Sequence, residues 1–380
     1  MTFVLSEEQE ELRKVVRAFF AATSPPAAVR RLMETPDGYD AGAWRRMAGE
    51  LGLPALAIPE ADGGMGFGLV ELGLVFEEAG RALAGGPLLA SAAMATGAVL
   101  ASAAGGADGG DGDGEGGAGD GDGGRDLLAA LARGDRIGTL AVAEDRGRWD
   151  RAGVATTAAG HPGGARLHGH KSWVLDGLTA DLILVAAADG LYAVDGDAPG
   201  LTRTPIPTLD LTRKLARLVF DGAPARRVGG WPAVEAGLAW AAVALANEQV
   251  GGAQRCLEMA VAYAKERTQF GRPIGSFQAI KHKCADLLRE IESARSTAAY
   301  ANWAATQPDH GELLVAASLA KAACSGAYLH AASECIQIHG ALGFTWEHDA
   351  HLYFKRAKSS SLLFGDPTHH RTRLADLLGL

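Results

Sequence analysis

The apolar residues of this chain change their spacing twice, near residue 135 and again near residue 230. Before the first change they recur at helical intervals. Ser6 and Gln9 are spaced as a capping box, and Leu12, Val15, Val16, Phe19 and Phe20 follow on one helical face. A second amphipathic run carries Trp44, Met47 and Leu51 and breaks at Gly52 and Pro54. The turn-rich PEADGGMGFG (59–68) then precedes apolar helical material from Leu69 to about Ala104, and a short helix is expected near Asp126 to Leu131. From Asp135 the runs IGTLAVAE, ARLHGHKSWVLDG, DLILVAAADGLYAVD and KLARLVFDGAPARRV are β-branched or alternating, with Gly, Asp and Pro between them, as in an antiparallel sheet. Beyond Gly230 helical spacing returns. One helix is expected over Pro232 to Arg267, a second with Phe277, Ile280, Cys284, Leu287, Leu288 and Ile291 on one stripe, and a third over Glu312 to Ile338. Long helices with short links pack as an antiparallel bundle. The expected class is α+β, with an N-terminal α-helical domain (1–134), a middle antiparallel β domain (135–229) and a C-terminal four-helix bundle (230–380).

Charge points to no particular partner. Of the net charge of −9, six units sit in residues 105–124, GGADGGDGDGEGGAGDGDGG, which argues against a nucleic-acid partner. With twelve glycines that segment buries too little surface to offset its ordering entropy, and a disordered acidic loop is expected. Asp111, Asp113, Glu115, Gly116 and Asp122 imitate a calcium loop, but the closing bidentate Glu is absent. No run of 18 purely apolar residues marks a membrane span, and MTFVLSEEQEELRK lacks the order of a secretion signal, so a cytoplasmic location is expected.

Cys256, Cys284, Cys324 and Cys335 match neither a zinc spacing nor a CxxC pair and read as four buried thiols in a reducing compartment. His348 with His351, and His369 with His370, lack a third ligand at a telling spacing, so no metal is expected.

Two C-terminal stretches, RTQFGRPIGSFQAIKHKCADL (267–287) and QIHGALGFTWEHDAHLYFKRAK (337–358), resemble the signature stretches of the acyl-CoA dehydrogenase family. PEADGGMGFG, HKSWVLDG and the α-β-α order extend the resemblance over nearly the whole chain. It implies a flavoprotein that binds FAD between subunits and takes two hydrogens from a fatty or steroid acyl-CoA. It further implies tetramers built on the C-terminal bundles, and an electron-transfer flavoprotein or similar acceptor. By that resemblance Arg267 suits the FAD diphosphate as a fixed-charge fork, and Phe270 and Gln278 meet the adenine end of a neighbouring subunit's flavin. Gln337, His339, Gly340 and Gly343 match the glycine loop that approaches phosphate oxygens, with Ala341 replacing one glycine. Trp173 would pack against the flavin ring.

The family's chemistry needs a carboxylate to remove the α-proton of the thioester while hydride leaves the β-carbon. Aligned through Arg371 or the final-turn glycine, one family position for that Glu falls on Phe364; counted back from Arg267, the other falls on Ala241. Two threonines that bond the flavin ring in the family fall on Ala143, in AVAED, and Leu175, in KSWVLDG. Substitute bases are weak: Glu248 lies two turns past Ala241, roughly 10 Å along the helix, Asp366 precedes Pro367 in a turn, and Glu347 and Asp349 flank a helix start. No catalytic residue is therefore expected here. The resemblance is to the non-catalytic subunit of a heteromeric α2β2 enzyme of the actinobacterial steroid type, whose homologous partner carries the Glu. A self-sufficient homotetramer with a displaced base, a flavin-using oxidase and a non-enzymatic scaffold remain as alternatives.

Overall fold

A computed structural model describes residues 5–105, 120–161, 164–307 and 310–380. The N-terminal helices are α1 (Glu7–Thr23), α2 (Pro26–Met33), α3 (Ala41–Gly49) and α4 (Leu69–Arg81). The capping box is formed: Ser6 Oγ accepts from Gln9 N–H at 3.2 Å, and Gln9 Oε1 accepts from Ser6 N–H at 3.1 Å. The expected long apolar helix is split. After α4 the chain turns through Leu83 (φ 54°) and Gly86 (φ 106°), then resumes as a π-helical segment, Leu89–Ala95, that runs into α5 (Thr96–Gly105). Gly-Gly-Pro at 85–87 breaks the helix that hydropathy alone would continue.

Most of the acidic stretch, 106–119, lies outside the described residues, and so do the calcium-like positions Asp111 to Gly116. Its margins differ from a loop throughout: Gly105 ends α5 and Asp120 opens α6 (Asp120–Ala132), so the helix expected near Asp126 starts earlier.

The strands are β1 (Gly138–Ala141), β2 (Thr157–His161), β3 (Gly164–Leu175), β4 (Leu182–Ala187), β5 (Gly190–Asp195), β6 (Leu201–Ile206) and β7 (Leu215–Gly229). They form one sheet in the order β1-β4-β5-β7-β3-β2, with β6 also paired to β7. The sheet is not antiparallel throughout: β1 pairs β4 in parallel, Gly138 opposite Leu182 and Ala141 opposite Val185. These strands are separated by the β2–β3 pair, so no hairpin forces them to run oppositely.

The remaining elements are α7 (Trp231–Glu266), the hairpin β8 (Thr268–Gln269) and β9 (Arg272–Pro273), α8 (Gln278–Ala304), α9 (His310–His339), the short α10 (Ala341–Phe344), α11 (Ala350–Leu362) and α12 (Pro367–Leu378). On α8 the predicted stripe holds at Leu287 and Ile291, which are buried, but Leu288 is 48% exposed. Cys284 is half-buried, whereas Cys256, Cys324 and Cys335 are buried; all four are free thiols. By length and composition α9 passes for a membrane-crossing helix, yet 61% of its apolar window is buried inside the protein.

The chain packs as two compact units: one comprises the N-terminal residues to Arg31, Leu69–Ala84 and Ala242–Leu380, the other Leu32–Gly68 and Gly85–Ala241. In the first, α4 crosses α7 backbone to backbone. A Cβ on Gly80 would lie 1.9 Å from Glu248 O, and one on Gly251 would lie 1.8 Å from Glu77 O. In the second, the sheet core is filled by the fully buried β4 run and by β1, against which the Leu89–Ala95 segment packs.

Candidate functional site

The β8–β9 hairpin turns through Phe270 (φ 53°) and Gly271 (φ 78°). Both central residues are left-handed, as a two-residue type I′ connection requires. Phenylalanine disfavours that region, so the turn carries strain that its surroundings must hold. Arg267 N–H donates to Tyr263 O and Ile274 N–H to Arg267 O, each at 2.8 Å. Phe277 stands edge-on to the Phe270 ring at 6.1 Å, and the Arg272 guanidinium lies 4.1 Å above Phe277. The Phe270 ring itself is 92% exposed. Arg267, just past α7, and Gln278, the first residue of α8, are exposed beside it. Nothing in the sequence pattern of a soluble core calls for a bulky ring held in strain at a solvent-facing tip.

The Gln337–Gly343 loop closes α9. Gln337 is exposed, and Gly340 adopts φ 60° and ψ −137°, a conformation that effectively only glycine adopts. A Cβ on Gly340 would meet no atom, leaving open space beside its backbone, whereas one on Gly343 would lie 3.0 Å from Ile336 Cα. His339 faces inward instead of outward. Its Nδ1 bonds Cys335 O at 2.7 Å, and its ring stacks on Tyr263, 4.5 Å away, and lies tilted against His348, 4.2 Å away. The structure thus makes His339 the interior anchor of the loop rather than one of its exposed groups. Because Arg267 follows Tyr263 by one turn, the stack also places the hairpin and the glycine loop at the same end of the bundle.

The positions expected for a base carry none. Phe364 is 3% exposed and sits in the left-handed region (φ 62°), followed by Gly365 (φ 106°). The turn is clamped from within: Lys321 Nζ, itself fully buried, donates to Ser361 O at 3.3 Å and Gly365 O at 3.1 Å, and His370 Nε2 lies 3.2 Å from Phe364 O. Burial drives the His370 pKa down to about 3, so its Nε2–H donates as a neutral imidazole. Ala241 is fully buried. Asp366 caps α12, accepting from His369 N–H at 2.7 Å. Glu248 pairs with Arg356 at 2.9 Å, with side chains only 6% and 2% exposed. Glu347 is exposed, and Asp349 pairs with Arg30 at 2.7 Å. Among the described residues no cluster of three metal-ligating side chains occurs.

In the sheet-containing unit, Ala143 and Leu175 are buried and apolar. Trp173 has φ 60° at an irregularity in the β3–β7 pairing and is 40% exposed. The same unit holds a buried ion pair that the sequence pattern does not announce. Glu144 Oε1 accepts from Lys171 Nζ, Ala155 N–H, Thr156 N–H and Thr156 Oγ1, all at 2.9 Å. Burial lowers the fully enclosed Lys171 to about 8 against the opposing pull of Glu144. Glu144 is held below the usual carboxylate range, because hydrogen bonds from Lys171 and Thr156 outweigh its burial. The charged pair Glu-x₂₆-Lys has no local spacing signature, so only the fold could have revealed it.

Two family models match this chain: "Acyl-CoA dehydrogenase, N-terminal domain" over residues 6–107 and "Acyl-CoA dehydrogenase, C-terminal domain" over residues 229–378. With the helical, sheet and helical order above, they define the class: the chain belongs to the acyl-CoA dehydrogenase family, whose cofactor is FAD. Among individual proteins, the acyl-CoA dehydrogenase IpdE2 of Mycolicibacterium smegmatis is 38% identical over 372 residues, covering 97% of this chain and 98% of its own. The ChsE4–ChsE5 complex of Mycobacterium tuberculosis contains a chain of similar structure, with TM-score 0.87, 28% identity, and coverage of 100% of this chain and 99% of that one. So does a single-substitution variant of the Tcur3481–Tcur3483 steroid acyl-CoA dehydrogenase, with TM-score 0.85, 33% identity and 98% coverage of each.

Against FAD the residues fall into two groups. The bundle end offers an exposed arginine, an exposed aromatic face and a glycine backbone open to solvent, chemistry that suits a diphosphate and an adenine. The sheet unit offers Trp173 but no hydroxyl at Ala143 or Leu175.

Proposed function

We propose that this chain is the non-catalytic subunit of a heteromeric acyl-CoA dehydrogenase. Its bundle end holds the ADP part of FAD across a subunit interface, and a homologous partner carries the catalytic Glu. Arg267 takes the diphosphate, Phe270 and Gln278 the adenine end, and the Gln337–Gly343 loop the phosphate oxygens through its backbone; Trp173 remains as a ring contact. Bound FAD supplies the acceptor for the hydride that leaves the acyl chain. The observation that carries the reading is the contrast between a strained, 92% exposed Phe270 and a sealed, 3% exposed Phe364 at the base position.

The fallback bases are already committed, Asp366 to a helix cap and Glu248 to Arg356, which disfavours a self-sufficient enzyme. The three domains proposed from sequence (1–134, 135–229 and 230–380) serve this role through the last of them. A steroid acyl-CoA substrate rests on the relatives, one of which is described as a steroid acyl-CoA dehydrogenase.

The test is to express the chain alone and with each acyl-CoA dehydrogenase-like protein encoded beside it, then measure flavin content and flavin bleaching by acyl-CoAs. The expected result is a colourless chain alone and a yellow, active complex, from which Arg267→Ala removes FAD. A flavin-replete, active chain without a partner overturns the proposal.

A further inference from the structure

The Gln337–Gly343 loop continues past Gly343 as a succession of tight turns. Gly340 N–H donates to Gln337 O at 3.2 Å, Gly343 N–H to Gly340 O at 3.1 Å, Thr345 N–H to Leu342 O at 3.1 Å and His348 N–H to Thr345 O at 3.4 Å. At the far end the His348 ring comes back against the His339 ring at 4.2 Å, so one ring contact closes segment 339–348 on itself. Gly340, with open space beside its backbone, lies inside that closed segment.

His348 also governs how the next helix starts. Asp349 stands at the N-cap of α11, where an aspartate ordinarily accepts from first-turn amides, yet it makes no side-chain cap. Its carboxylate is taken by Arg30, whose Nε and Nη2 donate to Oδ1 at 3.0 and 2.7 Å and whose Nη2 also reaches His348 O at 3.1 Å. The capping role passes to the imidazole before it: Ala350 N–H donates to His348 Nδ1 at 3.1 Å. The bond spans two residues as an Asx turn does, with a ring nitrogen in place of a carboxamide oxygen. A ring nitrogen that accepts carries no proton, so the geometry itself requires a neutral His348 with its hydrogen on Nε2.

The charged and titratable groups around that ring discourage a second proton. Arg30 comes from α2, Arg255 from α7 and His339 from α9, with Tyr263 behind His339; Asp349 and His351 stand at the start of α11. Asp349 is already paired with Arg30. Burial, helped by His339, Arg30 and Arg255 and opposed by Asp349, holds His348 below the ordinary histidine value of 6.5. His351, pushed down to about 4 by burial, stays neutral under mild acid. His339 keeps its Nδ1 hydrogen in either charge state, because the Cys335 carbonyl it meets can only accept.

We propose that His348 is the positioning residue of the Gln337–Gly343 loop: its neutral ring, bonded to Ala350 N–H and laid against His339, holds the loop closed, and mild acidification loosens it. The open segment takes up a proton near 6.5 and the closed one only at lower pH, so closure weakens as pH falls below 6.5. The consequence for flavin rests on the nucleotide-binding role given above to this loop.

The experiment follows hydrogen exchange by mass spectrometry in peptides covering residues 337–353 of the isolated full-length chain, from about pH 7.5 to about 5.5, with a thermal midpoint at each pH to separate loosening from unfolding. His348→Asn offers an amide oxygen to residue 350 at every pH. Relative to that variant, the parent is expected to lose protection by roughly two- to tenfold across the range, the worth of one hydrogen bond. His348→Ala, with neither ring nor acceptor, is expected to be as loose at neutral pH as the parent is in acid. A parent and His348→Asn that lose protection in parallel, or a His348→Ala as protected as the parent, overturn the proposal. In the co-expressed complex, flavin release on acidification should appear in the parent and be suppressed in His348→Asn. Exchange that follows the expected pattern while flavin does not respond upholds His348 as the loop's positioning residue and counts against the nucleotide role instead.

Discussion

Glu248 of α7 and Arg356 of α11 form an ion pair at 2.9 Å from which water is excluded on both sides. Arg356 also reaches Ala84 O at 3.4 Å, tying the turn after α4 to both helices. A buried pair contributes little net energy while intact, but removing one member strands the other charge. Arg356→Ala is expected to destabilise the chain by about 3–5 kcal/mol, read as a fall in the thermal midpoint. The double replacement of Glu248 and Arg356 by methionine is expected to recover most of that loss. A double variant no more stable than Arg356→Ala would contradict the pairing.

The Glu144–Lys171 pair leads to a pH-dependent prediction. Glu144 has a depressed folded pKa, so its contribution is complete above the ordinary carboxylate value near 4.5 and is lost as pH falls through the lower folded value. Glu144→Gln leaves Lys171 buried without its counter-charge and is expected to cost about 3 kcal/mol at neutral pH. The gap between the variant and the parent should narrow as pH falls below 4.5, measured as thermal midpoints across a pH series. A gap that is constant with pH would show that the carboxylate charge is not what Lys171 needs.

Backbone contact between α4 and α7 makes Gly251 a sharp test of packing. A methyl at that position would lie 1.8 Å from Glu77 O, so the helices must part. Gly251→Ala is expected to cost about 3 kcal/mol and to lower soluble yield. Gly326, exposed within α9 with open space where a methyl would stand, is the control, and Gly326→Ala should raise stability by up to about 1 kcal/mol. Equal effects at both sites would refute the close crossing.

What was legible from sequence followed local pattern. The capping box of α1 and the runs of α7 and α9 were readable because burial imposes the helical period. β2 and β6 were missed because they are short and largely exposed, leaving no apolar alternation to detect. The parallel pairing of β1 with β4 is a matter of topology that strand composition does not encode. At the proposed site, the apolar character of Phe364, Ala241, Ala143 and Leu175 is plain in the sequence, and the structure adds that all four are buried. The inward turn of His339 and the clamp of Lys321 on Gly365 depend on how helices distant in sequence meet, and no single segment announces them.

Phe270 sets stability against binding. Its left-handed backbone costs roughly 1–2 kcal/mol for a bulky residue, and the edge contact with Phe277 returns only part of that, because the ring is 92% exposed. Phe270→Asn converts the turn to Asn-Gly, the pair best suited to a type I′ hairpin, and should stabilise the isolated chain by about 0.5–1 kcal/mol. If Phe270 is strained because its ring meets an adenine, the same variant should reduce the flavin retained by the co-expressed complex, measured from the absorbance ratio of flavin to protein. Improved stability with undiminished flavin would mean that the strain serves something other than nucleotide binding. A loss of stability would mean that Phe277 and Arg272 hold the ring more firmly than its exposure implies.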